Sequence, residues 1–93
     1  MTFAVVLEYD PTDPKIAEFR PAHRAYLAGL QSEGKLVLSG PFDANTGGMI
    51  VYDVPTREDV EAIVAADPFR VNGVIRRYQV HQWTIVFNAF VPK

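Results

Sequence analysis

Two polar residues fall on helical stripes that are otherwise apolar. His23 follows Phe19 by four residues, and Asp67 follows Ile63 by four. Residues at this spacing share one face of a helix, so both side chains are predicted to point towards the surface on which the helices pack. A buried carboxylate and a buried imidazole each need a partner, so the two groups suit one another. Such a pair fixes the imidazole tautomer and raises its basicity, which suits a general acid or base near neutral pH.

Each of the two residues also has a structural interpretation. Asp67 precedes Pro68, and Asp-Pro is a favourable N-cap and first-turn pair for a short helical turn. A core histidine bonded to backbone groups would account for His23 without catalysis. Capping and pairing are compatible, because a carboxylate has two oxygens. The chain has no cysteine and shows no clear third ligand, so we predict neither a metal site nor a cofactor at this pair.

Ser39 and Gly40 end a short apolar stretch just before Pro41. A hydroxyl there could line a pocket, and the glycine would let a ligand approach the backbone closely. An ordinary strand end explains the same residues equally well. No GxSxG motif surrounds Ser39, so the hydroxyl is expected to bind rather than to attack. The "TGG" at residues 46–48 lacks the glycine spacing and the lysine of a phosphate-binding loop, and is interpreted as a hairpin turn.

The elements that must position these side chains can be predicted from periodicity and from turn residues. They are a strand at 3–9, an amphipathic helix ending at Gly34, hairpin strands at 35–41 and 47–54, a helix at 56–66 and a strand at 74–86. Pro21 either starts the main part of the first helix or kinks a longer one. The order is that of a ferredoxin-like split βαβ fold in the α+β class. Its two right-handed crossovers place both helices on one face of an antiparallel sheet.

Composition limits both the size of the domain and its partners. The chain of 93 residues is 48% apolar and carries a formal charge of −2. We expect a single domain over residues 1–93, without a basic stripe for nucleic acid and without an apolar run long enough for a membrane. No targeting leader is recognised, so a cytoplasmic location is expected. The first and last strands are apolar on both faces, which predicts a homodimer packed through the uncovered sheet face, with the tail at 85–93 adding to the contact.

Four segments carry a family resemblance in order and approximate spacing: "HRAYL", "EGKLVLSGP", "GGMIVYDV" and "ADPF". Together they resemble the YciI-like (YCII-related) family over nearly the whole chain. The resemblance implies a dimeric α+β barrel with an active site around a His–Asp pair. By position, that pair is His23 and Asp67, with Ser39 and Phe69 as pocket neighbours. One reaction suggested by the resemblance is elimination on chlorinated, hydroxylated aromatic compounds.

Three hypotheses for function follow from these residues. The leading one is a cofactor-independent enzyme for a small organic molecule, in which His23 accepts or donates a proton and Asp67 orients the His23 ring. The second is a non-catalytic module whose pocket binds a metabolite, or whose fold serves dimerisation. The third is a related monooxygenase, which would consume oxygen in the presence of an aromatic substrate. The first two differ in the effect of Asp67→Asn, which removes turnover only if the pair is catalytic.

Overall fold

The computed structural model describes residues 1–90, and it contains four strands and three helices in the predicted order. They are β1 (Thr2–Glu8), α1 (Lys15–Ser32), β2 (Leu36–Pro41), β3 (Gly47–Asp53), α2 (Arg57–Ala66), α3 (Pro68–Val71) and β4 (Arg77–Gln82). The strands form one antiparallel sheet in the order β2-β3-β1-β4. This arrangement confirms the predicted ferredoxin-like α+β fold.

Alternation along β1 separates the two faces of the sheet. Phe3, Val5 and Leu7 are buried against the helices, whereas Ala4 and Val6 on the opposite face are only half-buried. The buried set joins the inward residues of α1 and α2 in one hydrophobic core. Within a single chain, the helices therefore cover one face of the sheet, as the split βαβ topology requires.

Helix α1 runs without a break through Pro21, so the alternative of a separate turn before the main helix is wrong. Proline removes one backbone donor, and the carbonyl that loses its partner belongs to Ala17, on the exposed side of the helix. His23, Leu27 and Leu30 remain on the buried side. The regular spacing that placed His23 on the inward stripe is therefore preserved.

Helix α2 begins with the predicted capping box. The hydroxyl of Thr56 accepts a hydrogen bond from the backbone N–H of Asp59, and the Asp59 carboxylate accepts one from the backbone N–H of Thr56. The helix ends at Ala66, one residue before the aspartate of interest. Asp67 is extended, with φ −64° and ψ 128°, and it caps the four-residue helix α3. Helix α2 thus delivers Asp67 to the buried side of the molecule without including it.

The last strand is shorter than predicted. Val74 and Ile75 belong to the connection after α3, where both backbone N–H groups donate to the carbonyl of Phe69 and both side chains enter the core. Strand β4 begins only at Arg77 and ends at Gln82. Burial of Val74 and Ile75 came from this turn and not from strand alternation, so their assignment to opposite strand faces is wrong.

Several large apolar side chains after β4 remain exposed, among them Trp83, Phe87 and Phe90. This segment lies beside Leu38 and Val51 of the sheet face that the helices leave uncovered. The last three residues of the tail, for which a contribution to a dimer contact was predicted, lie outside the described residues. Among residues 1–90, no helix has the length and apolar character needed to cross a membrane.

Candidate functional site

His23 and Asp67 form a buried pair between α1 and the junction of α2 and α3. The Nδ1 atom of His23 lies 2.7 Å from Oδ1 of Asp67, although the two residues are 44 positions apart. His23 is 8% exposed and Asp67 is 1% exposed. A carboxylate can only accept, so Nδ1–H is the donor in this bond and the proton-free nitrogen of the neutral ring is Nε2.

The same carboxylate oxygen also fixes the local backbone. Oδ1 of Asp67 accepts the backbone N–H of Phe69 at 2.9 Å, which is the N-cap bond of α3. Capping and pairing therefore coexist as predicted, but through one shared oxygen and not through one oxygen each. The backbone of Phe69 and the ring of His23 are consequently both bonded to a single atom.

An aromatic stack holds the imidazole in place. The rings of His23 and Phe69 are parallel within 3°, with centroids 3.9 Å apart. The ring of Tyr9 makes an edge-on contact with that of Phe69, with centroids 5.4 Å apart and planes at 86°. Phe69, which the family resemblance suggested, is thus in direct contact with His23. Offset and edge-on packing of this kind restricts rotation of the rings.

Tyr9 was not predicted as a site residue. Burial raises the pKa of the Tyr9 hydroxyl, the negative charge of Asp67 raises it further, and the nearby Arg20 partly opposes them. Tyr9 therefore stays a neutral hydroxyl at physiological pH. The sequence carried no signal of this role, because alternation marked Tyr9 only as the last residue of the predicted strand at 3–9.

A cavity of about 170 Å³ lies on the open side of the His23 ring. Four of the predicted site residues line it: His23, Ser39, Gly40 and Phe69. Asp67 does not line the cavity, since it is bonded to Nδ1 on the far side of His23. Nε2 is therefore the ring nitrogen available to a molecule in the cavity.

A β-bulge turns Ser39 into this cavity. Leu36 pairs with Tyr52, and a register shift before Leu38 brings Ser39 opposite Ile50. Tyr52 and Ile50 both face the helices, so Leu36 and Ser39 share a face although they are three residues apart. Three is an odd spacing, which would place them on opposite faces of a regular strand. The bulge thus gives Ser39 its position, and sequence alternation could not show it.

The glycines of "TGG", which were assigned both to the strand at 47–54 and to a hairpin turn, belong to the strand. Gly47 and Gly48 lie inside β3 and are not the turn itself, which is a short 3-10 segment at Asp43–Asn45. A Cβ atom on Gly48 would lie 2.9 Å from the carbonyl oxygen of Gly40, and one on Gly47 would overlap the carbonyl of Leu7. These glycines let neighbouring strands approach closely beside the cavity.

Sequence reasoning also missed Arg20 and Arg24, which line the cavity on either side of His23 in α1. The Nη2 atom of Arg20 donates to the side-chain oxygen of Asn45 at 3.1 Å. The signal available in the sequence was the spacing, because residues at i and i+4 lie one turn apart on a helix. Within residues 1–90, no three His, Cys, Asp or Glu side chains come close enough together to hold a metal ion.

Residues 1–84 match the family of YCII-related domains. The chain belongs to this family. Proteins named YciI from Escherichia coli O6:H1 and from Shigella flexneri are each 32% identical over 95 residues, covering 89% of this chain and 97% of theirs. An uncharacterized Bacillus subtilis protein, YjpA, is 37% identical over 51 residues, or 55% of this chain and 60% of its own. The predicted family is therefore confirmed.

The YCII-related fold is also that of a solved enzyme. The 5-chloro-2-hydroxyhydroquinone dehydrochlorinase of Burkholderia phenoliruptrix, in complex with 2,5-dihydroxybenzoquinone, superposes with a TM-score of 0.80. The match covers 90% of this chain and 94% of that one, at 24% identity. At this identity the likeness establishes the fold. The YCII-related region takes in every residue that lines the cavity, and it ends before the exposed segment at 85–90.

Proposed function

We propose that this protein is a cofactor-independent enzyme that transfers a proton to or from a small organic molecule through His23. The main support for this proposal is the 2.7 Å hydrogen bond from His23 Nδ1 to Asp67, which leaves Nε2 as the proton-accepting atom at the cavity. Such a pair acts as a general base without a metal, since the carboxylate stabilises the imidazolium that forms. Ser39, Gly40 and Phe69 are proposed as its substrate-binding residues.

Elimination is the reaction that we assign to this arrangement. A base removes a proton from the substrate, the electron pair of that bond forms a new double bond, and chloride leaves with the electron pair of the C–Cl bond. Loss of HCl needs no external oxidant or reductant, so one proton acceptor is sufficient. The activity in the name of the structural neighbour supports this class of reaction.

The test is chloride release from 5-chloro-2-hydroxyhydroquinone. We expect wild type to release chloride, and Asp67→Asn to lower the rate by roughly a hundredfold or more, as loss of general base catalysis does. Asp53→Asn is the matched control, because it removes a carboxylate whose side chain is 60% exposed and does not line the cavity. A His23→Gln variant as active as wild type would refute the role of His23, and no chloride release by wild type would refute elimination of this substrate.

A binding module is the second candidate, and the exposed guanidinium and hydroxyl groups around the same cavity favour it. In that case 2,5-dihydroxybenzoquinone would bind in the cavity of wild type and of His23→Gln alike, without turnover of the chlorinated compound. Comparison of binding with chloride release in the same two proteins separates the candidates. In both cases the partner is a small molecule.

The assembly that we propose is a cytoplasmic homodimer joined through the sheet face opposite the helices. Leu38 is 40% exposed on this face and Trp83 is 42% exposed beside it, and apolar patches of this kind mark contact surfaces. A dimer mass in sedimentation equilibrium that Leu38→Glu shifts to monomer would support the proposal. A monomeric wild type at all concentrations would contradict it, and cell fractionation tests the location.

A further inference from the structure

The cavity beside His23 has positively charged walls. Arg20 and Arg24 both line it, one helical turn apart in α1. The lining includes Tyr9, Ser39 and Asn45 as further polar residues but no aspartate or glutamate among residues 1–90. Asp67 lies behind the imidazole with its charge directed at Nδ1. Both arginine side chains therefore border the cavity, and no carboxylate of residues 1–90 does.

Two other arginines of the protein are paired with carboxylates, whereas these two are not. Arg76 lies 3.4 Å from the carboxylate of Asp10, and Arg77 lies 2.8 Å from that of Glu8. Within the described part of the chain, neither Arg20 nor Arg24 has a carboxylate within ion-pair distance. Arg20 is instead held by the neutral amide of Asn45. The fixed guanidinium keeps its charge available to the cavity, where low-dielectric walls strengthen its field.

The charge of Arg20 acts inside the site. It lowers the pKa of the Tyr9 hydroxyl, against the larger effects of burial and of Asp67. The cavity of about 170 Å³ is also suited to one aromatic ring, since an engineered cavity of about 150 Å³ is known to bind benzene. Phe69 and Leu27 supply apolar wall on either side of the charged groups.

From this combination we infer that the cavity selects a single-ring organic anion, a carboxylate or a phenolate, with Arg20 and Arg24 as its charge partners. Guanidinium binds such oxygens through paired N–H donors, and it does so more tightly than it binds a neutral amide. This inference rests on the proposed function, because it names the substrate class of the same cavity. It makes the two arginines specificity-determining residues, while His23 remains the proton acceptor.

The test compares three single-ring ligands of similar size and different charge: benzoate, benzamide and benzylammonium. Binding is followed by amide chemical shifts of Ser39, Gly40 and Phe69 in ¹⁵N-labelled protein. We expect benzoate to bind at least about tenfold more tightly than benzamide, and benzylammonium not to bind. Arg20→Gln and Arg24→Gln should each weaken benzoate roughly fivefold to tenfold and leave benzamide unchanged. Added salt should reduce the preference.

Lys15→Gln is the matched control, because it removes one positive charge from the start of the same helix but not from the cavity lining. It should change benzoate binding less than twofold, in keeping with screened surface charge. Equal affinity for benzoate and benzamide, no saturable benzoate shifts, or an equal loss in Lys15→Gln would each overturn the inference.

Failure of the proposed function can be told apart from failure of this inference. His23→Gln abolishes proton transfer but keeps both guanidinium groups, so charge preference is expected to persist in that variant. Preference for benzoate without chloride release by wild type would retain the anion site and remove the elimination reaction. Chloride release with no preference for benzoate would retain the elimination reaction and remove the anion site.

Discussion

Removal of the Asp67 side chain should destabilise the protein far more than removal of its charge. In Asp67→Ala, α3 loses its N-cap, which costs about 1 kcal/mol. The buried Nδ1–H of His23 also loses its acceptor, which costs about 1–3 kcal/mol for an unpaired buried donor. The expected total is about 2–4 kcal/mol, because both bonds end on the one oxygen that is deleted.

Asp67→Asn keeps an oxygen at that position and can keep both bonds. The bond to His23 then becomes neutral, a loss of about 1 kcal/mol, and asparagine caps helices as well as aspartate does. Thr56→Ala is the reference for an exposed cap, at about 1 kcal/mol. Thr56 is the N-cap of α2, whose bonds are solvent-exposed.

Urea unfolding at neutral pH measures all three variants. With a slope of about 1–1.5 kcal/mol/M for a domain of this size, the Asp67→Ala midpoint should fall by about 1.3–4 M, and the other two by about 1 M or less. The slopes should agree with wild type. If Asp67→Asn were as destabilising as Asp67→Ala, or if Asp67→Ala lost no more than Thr56→Ala, the shared-oxygen account would be refuted.

Three further predictions concern the core around the site. Tyr52→Phe should stabilise the protein by about 1 kcal/mol, since the buried Tyr52 hydroxyl has no hydrogen-bond partner among residues 1–90; calorimetry that showed a loss would contradict this. Burial, followed by the charge of Asp67, raises the pKa of Tyr52 above its ordinary value. The folded state therefore holds this proton more tightly than the unfolded state. The stabilisation from this proton is fully present below about pH 10 and is lost as the pH rises further, so the free energy of unfolding should decline less steeply in Tyr52→Phe than in wild type. Gly48→Ala should lower the free energy of unfolding, measured in urea, by about 1–3 kcal/mol, because its Cβ would press on the Gly40 carbonyl. Gly29→Ala, in the middle of α1, should raise it by about 0.5–1 kcal/mol, because no atom of residues 1–90 lies within 4 Å of the added Cβ. Phe69→Ala should lose about 3–5 kcal/mol and release the His23 ring, seen as averaged ring resonances; retention of the wild-type ring shifts would argue against the stack as its support.

The features that could be predicted from the sequence are those that local rules determine. The Thr56–Asp59 capping box needs only residues three apart, and the inward position of His23 needs only helical periodicity. The strand order followed because few topologies connect these elements with right-handed crossovers. His23 and Asp67 could be paired in advance because both helices had to cover one sheet face, which left each buried polar group with few alternatives.

The features that could not be predicted depend on contacts between distant segments. The bulge at Val37 moves Ser39 to the cavity side, and the sequence of β2 alone does not specify it. Gly47 and Gly48 were assigned to both a strand and a turn, and their close approach to Leu7 and Gly40 could not be predicted, because it exists only once the sheet is assembled. Val74 and Ile75 were assigned to a strand because apolar character alone does not distinguish a buried turn from a strand.

The shared oxygen of Asp67 links the fold and the proposed chemistry. Oδ1 fixes the backbone of α3 through Phe69, and Phe69 in turn stacks on the imidazole that Oδ1 also binds. The ring is thereby held by a hydrogen bond at its edge and by an aromatic contact on its face, and both originate from one residue. Rotation of His23 would break the first contact and separate the stacked rings of the second. A ring fixed in this way presents Nε2 to the cavity, so the proposed proton transfer would need no reorganisation of His23. The position of the proposed base is therefore a property of the fold, and in our proposal the charged cavity walls determine which molecule reaches it.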